Sequence, residues 1–159
     1  MINVLDKVQP KNKKQLKQLI DYAFKHNIYD LNFIDTSNIT EMSNLFMNCE
    51  YDIDVSNWDV SNVTNMSGMF YNCEKFNCDL SNWDVSNVTN TAGMFYFCKN
   101  FDCDLSHWNV SNVKYMYLMF HNCKKFNSDM SNWNVTKAKS TLNMFAGCDK
   151  MTIPNWYKK

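Results

Sequence analysis

A repeat of 24 or 25 residues runs through most of the chain and limits its possible folds more than any other feature. A single unit is too small to bury its own tryptophan, methionine and phenylalanine side chains. The five units must therefore stack, so that their apolar columns form one continuous core. The units begin at Asp30, Asp54, Asp79, Asp104 and Asp129, and the most regular columns are Phe46, Phe70, Phe95, Phe120 and Phe145; Cys49, Cys73, Cys98, Cys123 and Cys148; and Trp58, Trp83, Trp108 and Trp133.

The tryptophan column predicts a strand in each unit. Counted from Leu80, apolar residues stand at offsets 0, 3, 5 and 8, and offset 11 is methionine in the first, second and fourth repeats. This spacing resembles the L-x-x-L-x-L signature of leucine-rich repeats. We place a short parallel strand at residues 82–86, with Trp83 and Val85 inward and Asp84 outward, because side chains alternate along a strand. Equivalent strands of neighbouring units are expected to pair into a parallel sheet.

A short helical turn is expected after each strand. Met94, Phe95 and Cys98 have the spacing of one inward face of such a turn. The expected fold class is therefore a repeat solenoid, leucine-rich-repeat-like, with short parallel strands, short helical turns and an N-terminal capping helix.

The two ends of such a stack need caps, because they expose the core. Lys11–His26 has the apolar periodicity of an amphipathic helix and follows Pro10, a common start signal. We expect this helix to cover the first repeat; a membrane-surface helix is the alternative, given its lysines. Its apolar face contains Leu16, Leu19, Ile20, Ala23 and Phe24. The expected organisation is a capping helix and lead-in over 1–29, five repeats over 30–153 and a short C-terminal cap over 154–159.

Charge and hydropathy argue against two classes of partner. The 16 basic and 16 acidic residues balance, so the chain lacks the basic excess of a nucleic-acid binder. No apolar run reaches the length of a membrane-spanning helix, and the first ten residues lack the apolar stretch of a signal peptide. We therefore expect a cytoplasmic location for the chain as written, although it could be a fragment of a longer exported protein. A monomer is expected, with end-to-end association as the alternative.

The seven cysteines predict buried free thiols rather than a reactive or metal-binding set. Five of them follow the phenylalanine column, where cysteine behaves as a small hydrophobic side chain. The C-x2-C pairs common among zinc ligands are absent from the sequence, and the histidines are scattered, so we expect no metal, no cofactor and no catalytic residue. A disulfide between Cys78 and Cys103, in a second and shorter cysteine column, is the alternative.

Two sets of exposed residues are candidate binding sites. The first is a polar strip on either side of the tryptophan column, which we expect to face solvent. It contains Asn57, Asn82, His107, Asn132, Asp59, Asp84, Asn109 and Asn134. The second set is aromatic and includes positions at which the fourth repeat departs from the others, and exposed aromatic residues are enriched in recognition sites. It contains Tyr71, Tyr96, Phe97, Tyr115, Tyr117 and His121.

Units of the form WDVSNVTNMSGMFYNC resemble the BspA-like leucine-rich-repeat surface proteins over about residues 30–153. The resemblance implies a solenoid and, for exported members, adhesion or host-protein binding; it implies no enzyme activity. We therefore expect a non-catalytic protein-recognition or adhesion-type scaffold that binds a macromolecular partner. A structural or self-assembling spacer is the alternative. Glycan binding, and calcium binding by the aspartate columns, are two further alternatives.

Overall fold

The computed structural model describes residues 7–158 and forms one α-helix in that range, α1 (Lys13–Lys25). The first six residues of the expected lead-in and the last residue of the expected C-terminal cap lie outside the described residues. No strand is formed between residues 7 and 158, where six isolated parallel bridges are the only β pairing. The predicted solenoid of parallel strands is therefore wrong.

The segment placed in a strand, residues 82–86, lies between two turns. Trp83 N–H donates to the Leu80 carbonyl at 3.1 Å, and Val88 N–H donates to the Val85 carbonyl at 2.9 Å. No backbone–backbone hydrogen bond joins 82–86 to an adjacent repeat within the described chain. Trp83 and Val85 are nevertheless buried and Asp84 is exposed, because a chain that alternates turns with short extended links also sends alternate side chains inward.

Backbone hydrogen bonds join each repeat to the next along a different part of the unit, which we call the ladder segment. The ladder segments are residues 40–49, 64–73, 89–98, 114–123 and 139–148. At each of the four boundaries, four N–H groups of one repeat donate to carbonyls of the next, at N···O distances of 2.6–3.1 Å. One N–H of the later repeat donates in return, as from Lys139 to the Lys114 carbonyl at 2.8 Å. At the boundary between the third and fourth repeats there are two such bonds, since Lys114 and Tyr115 both donate to the Thr89 carbonyl, at 2.8 and 3.4 Å. The bonds between repeats thus lie where the sequence had predicted a helical turn.

Left-handed residues explain why the ladder segments are neither strands nor helices. Each contains two residues with positive φ, four positions apart, and each of these residues interrupts a regular run of backbone angles. Around Asn44, for example, Leu45 N–H donates to the Met42 carbonyl at 3.3 Å and closes a turn. The residues are Asn44 and Asn48, Gly68 and Asn72, Gly93 and Phe97, Leu118 and Asn122, and Asn143 and Gly147.

Columns of identical side chains form the core inside the ladder. The phenylalanine rings from Phe46 to Phe145 stack almost parallel, with centroids 5.5–5.8 Å apart. Each tryptophan of the column donates its Nε1–H to a carbonyl of the preceding repeat, as from Trp83 to Val55 at 3.2 Å. Burying aromatic area in this way supplies most of the favourable free energy of stacking.

The helix α1 packs against the first repeat. It begins after Asn12, whose side chain accepts the Gln15 N–H at 3.0 Å and caps the helix. Leu16, Ile20 and Ala23 of α1 are fully buried. No helix in the described part of the chain is long and apolar enough to cross a membrane.

Candidate recognition surface

An aromatic stack lies on the outside of the middle repeats, in the ladder segments. Tyr71 stacks on Tyr96 at 4.5 Å between ring centroids, and Tyr96 stacks on His121 at 5.0 Å. Phe97 tilts against Tyr96 at 4.7 Å and against His121 at 6.0 Å. We call these four residues the aromatic cluster. All four are partly exposed, so the structure brings together four of the six aromatic residues that the sequence proposed.

Two further tyrosines stand in the ladder segment of the fourth repeat. Tyr115 is 39% exposed and Tyr117 is 42% exposed, and we call them the tyrosine pair. The Lys139 ammonium lies 5.9 Å from the Tyr115 ring centroid, within cation–π range. Earlier repeats have small or polar residues in these two columns, namely Asn65 and Asn90, and Ser67 and Ala92. The tyrosine pair is therefore additional apolar surface that the stack itself does not require.

Two residues beside the aromatic cluster have a strained backbone. Phe97 and Leu118 have φ of +58° and +57°, although neither is asparagine or glycine. A left-handed backbone costs about 1–2 kcal/mol for such residues. Strain of this kind concentrates at functional sites, and here it falls in the same two repeats as most of the aromatic cluster.

One polar atom of the aromatic cluster has no partner. His121 Nδ1 is buried and accepts or donates no hydrogen bond among the described residues. The ring is held by stacking on Tyr96, so its position depends on the aromatic contacts.

The polar strip lies in the other half of each repeat, and its members are exposed. Half of it serves the turns. Asp59 and Asp84 accept the N–H of the serine two residues later at 3.0 Å, and Asn109 and Asn134 accept the equivalent N–H at 3.2 Å. Hydrogen bonds from the Ser86 side chain and N–H hold the pKa of Asp84 below its usual value. These four side chains are therefore explained by local structure, whereas the outer residues of the strip, Asn57, Asn82, His107 and Asn132, form no side-chain hydrogen bond within the described chain.

The aspartates that begin the repeats have the same local role. Asp79 and Asp104 each accept the N–H of the serine two residues later at 2.9 Å. Those N–H groups, followed by the serine side chains, lower the pKa of both carboxyls. Between residues 7 and 158, no three histidine, cysteine or acidic side chains are grouped closely enough to hold a metal ion.

The cysteines are free, and each column contributes hydrogen bonds between repeats. Cys98 Sγ–H donates to the Phe70 carbonyl at 2.9 Å, and equivalent bonds recur at three other boundaries. Burial raises the pKa of Cys73 to about 12 and that of Cys148 to about 11. In the second column, Cys103 Sγ accepts the Leu80 N–H at 3.1 Å. The alternative disulfide between Cys78 and Cys103 is not formed.

The sequence interpretation missed the strain at Phe97 and Leu118. The signal was available in the columns, because the other repeats have only asparagine or glycine at these two positions. These are the residue types that tolerate a left-handed backbone. A column of asparagine and glycine predicts a left-handed turn position, and a bulky residue in that column predicts backbone strain.

The fold and the surface together define a protein of stacked repeats with an aromatic outer surface. Its described part, residues 7–158, contains no formed strand. The model of a family described as "Mycoplasma protein of unknown function, DUF285" matches residues 14–106 and 82–157. The chain belongs to this family. No curated protein matches the chain, and no solved structure matches it.

Proposed function

We propose that the chain is a non-catalytic recognition module that binds a protein partner through the aromatic cluster and the tyrosine pair. The observation that carries this proposal is the exposed tyrosine pair in the fourth repeat. Tyrosine combines a large apolar face with a hydroxyl and loses little side-chain entropy on binding, and it is enriched at binding hot spots. The surface suits a protein rather than a small molecule because it is spread over several stacked repeats.

The rigidity of the ladder supports this proposal. Four hydrogen bonds forward and two backward fix the backbone at the boundary between the third and fourth repeats. An aromatic surface on such a support needs little ordering when it binds, which lowers the entropy cost of association. The proposed role agrees with the adhesion-type function implied by the resemblance to BspA-like surface proteins.

The titratable groups favour recognition over catalysis. Burial raises the pKa of the thiols in both cysteine columns, which disfavours the reactive thiolate. Hydrogen bonds from turns lower the pKa of Asp79, Asp104 and Asp129, so these carboxylates remain charged and engaged with backbone N–H groups. A catalytic acid or base is usually shifted toward neutral pH instead.

The proposal is tested by comparing two variants that change the two candidate surfaces separately. One replaces Tyr115, Tyr117 and His121 with alanine, and the matched control replaces Asn82, His107 and Asn132 with alanine. Each immobilised variant and the wild type is exposed to a surface-protein extract of host cells, and retained proteins are identified. Circular dichroism and thermal melting establish that both variants are folded.

A partner retained by the wild type and by the control variant, but lost by the tyrosine variant, supports the proposal. Loss of about 2 kcal/mol or more of binding free energy is expected if the tyrosine pair is a hot spot. Retention by the tyrosine variant with loss by the control would assign recognition to the polar strip instead. Failure of the wild type to retain any protein would contradict the recognition role.

A further inference from the structure

The ladder has an unpaired edge at the last repeat. Forward donors in the first four repeats all find carbonyls, but the equivalent N–H groups of the fifth repeat have no acceptor among residues 7–158. The Thr89 and Lys114 carbonyls accept an N–H from the next repeat, but the equivalent carbonyl of Lys139 accepts no backbone N–H within the described chain. We call this set the open edge. It consists of the N–H groups of Thr141, Asn143, Phe145 and Gly147 and the carbonyl of Lys139.

The C-terminal segment covers only the core side of the fifth repeat. Trp156 continues the tryptophan column, since its Nε1–H donates to the Met130 carbonyl at 2.7 Å. Tyr157 packs edge-on against Phe145, with centroids 5.2 Å apart. Beside the open edge remains a groove of about 480 Å³ that is lined by Leu142, Ile153 and Tyr157, among others. Leu142 is 67% exposed.

The geometry points to an extended polypeptide segment of a partner protein as the occupant of the open edge. This segment supplies four backbone carbonyls and one N–H, and it places an apolar side chain in the groove. The same arrangement occurs inside the molecule. At each boundary between repeats, the equivalent N–H groups donate to the carbonyls of a peptide segment of the next repeat. Addition of an extended segment to an unpaired edge is a general mode of peptide recognition.

A second copy of the chain does not fit the open edge. Two open edges would face each other with N–H against N–H, which leaves the donors unpaired. The opposite end of the stack is covered by α1, where Phe24 packs on Phe46 and the Lys13 ammonium donates to the Ser43 carbonyl. Head-to-tail pairing would therefore require the helix to leave the core.

The open edge supplies a peptide-binding site in addition to the tyrosine surface of the proposed function. The two surfaces use different residues, so either can fail alone. The probe for the open edge is a capped synthetic peptide with the sequence of residues 64–74, TNMSGMFYNCE, in which serine replaces the cysteine. The control probe has the same composition in reversed order, which moves its glycine and asparagine away from the two left-handed positions and changes the register of its apolar side chains.

Amide hydrogen exchange, measured by NMR on the whole chain, locates the peptide. In the free protein, the four N–H groups of the open edge should exchange faster than the equivalent, bonded N–H groups of Met116, Leu118, Phe120 and Asn122. Saturating peptide should slow them by at least about tenfold, and the reversed peptide should not. The variant with Tyr115, Tyr117 and His121 replaced by alanine should bind the peptide like the wild type.

Leu142→Glu places a carboxylate against the incoming carbonyls and should weaken peptide binding by at least about tenfold. Met47→Glu, at a residue that is 43% exposed in the first ladder segment, is the matched control and should bind normally. The proposal is overturned if about 1 mM peptide gives no protection, a limit of roughly 4 kcal/mol in binding free energy. It is also overturned if the peptide binds without protecting these four amides, or if they become protected at high protein concentration without peptide.

Discussion

Leu118 holds a left-handed backbone that its column assigns to glycine or asparagine, with φ at +57°. Its replacement by glycine removes this strain. The same replacement at Leu142, which is not left-handed, relieves no strain and lowers stability by adding backbone entropy to the unfolded state. We expect Leu118→Gly to be at least about 1 kcal/mol more stable than Leu142→Gly. Urea unfolding of the two variants measures the difference, and equal midpoints would show that the strain is relieved elsewhere.

Cys103 shows that a thiol can be kept for its lone pairs. Its Sγ accepts the buried Leu80 N–H, and in the next repeat the Ser128 hydroxyl accepts the Leu105 N–H in the same way at 2.9 Å. Cys103→Ala leaves the Leu80 N–H unpaired and should cost about 1–3 kcal/mol. Cys103→Ser keeps an acceptor and should cost less than about 1 kcal/mol. Thermal melting of both variants measures their stability. Equal losses of stability would show that Cys103 contributes through packing alone.

Turns that begin with aspartate make the stability of the repeats depend on pH. The pKa of Asp79, Asp84 and Asp104 is lowered in the folded chain by hydrogen bonds from serine two residues later. A lowered pKa contributes stability that is complete above the unfolded pKa of about 3.9 and is lost as the pH falls through the folded pKa. The free energy of unfolding should therefore fall as the pH is lowered below about 4.

Asparagine provides the control for this pH dependence, because Asn109 already accepts the same turn N–H without a charge. A variant with Asp79, Asp84 and Asp104 replaced by asparagine should keep its turns and lose less stability between pH 5 and pH 3, by the linkage of protonation to folding. Urea unfolding at several pH values measures this slope. An unchanged slope would place the acid sensitivity in other carboxylates.

The repeat and its buried columns were predictable from sequence, but the conformation of each unit was not. Trp83 and Val85 are buried as expected, since burial follows from apolar character in any stacked unit. The backbone was misassigned because strands and turn-rich links both alternate inward and outward residues. Of the candidate sites, the clustering of Tyr71 with Tyr96 followed from their shared column, while the left-handed state of Phe97 needed a comparison of columns.

In the whole molecule, each repeat contacts only its neighbours, so the ends should open more readily than the middle. The cysteine column reports this gradient. Burial raises the pKa of Cys98 and Cys123 well above the usual value, whereas Cys148 near the C-terminal end is raised to about 11 and is partly exposed.

Thiol labelling followed by mass spectrometry should therefore modify Cys148 first at pH 8 in the native state. Cys98 and Cys123 should react at least about tenfold more slowly, at a rate set by opening of the stack. In 8 M urea all seven thiols should react alike, which is the control for intrinsic reactivity. Equal native rates at Cys98 and Cys148 would mean that the five repeats open as one cooperative unit.

The directional ladder also bears on how a gene for such a protein can change. Every internal boundary offers the same donors and meets the same acceptors. Duplication or loss of one 25-residue unit within the array therefore produces a chain whose new junction matches its old ones. Chain length is thus a trait that recombination between similar coding segments can alter in single steps, and outer side chains such as Tyr115 and Tyr117 can diverge within one copy while the others keep the array intact.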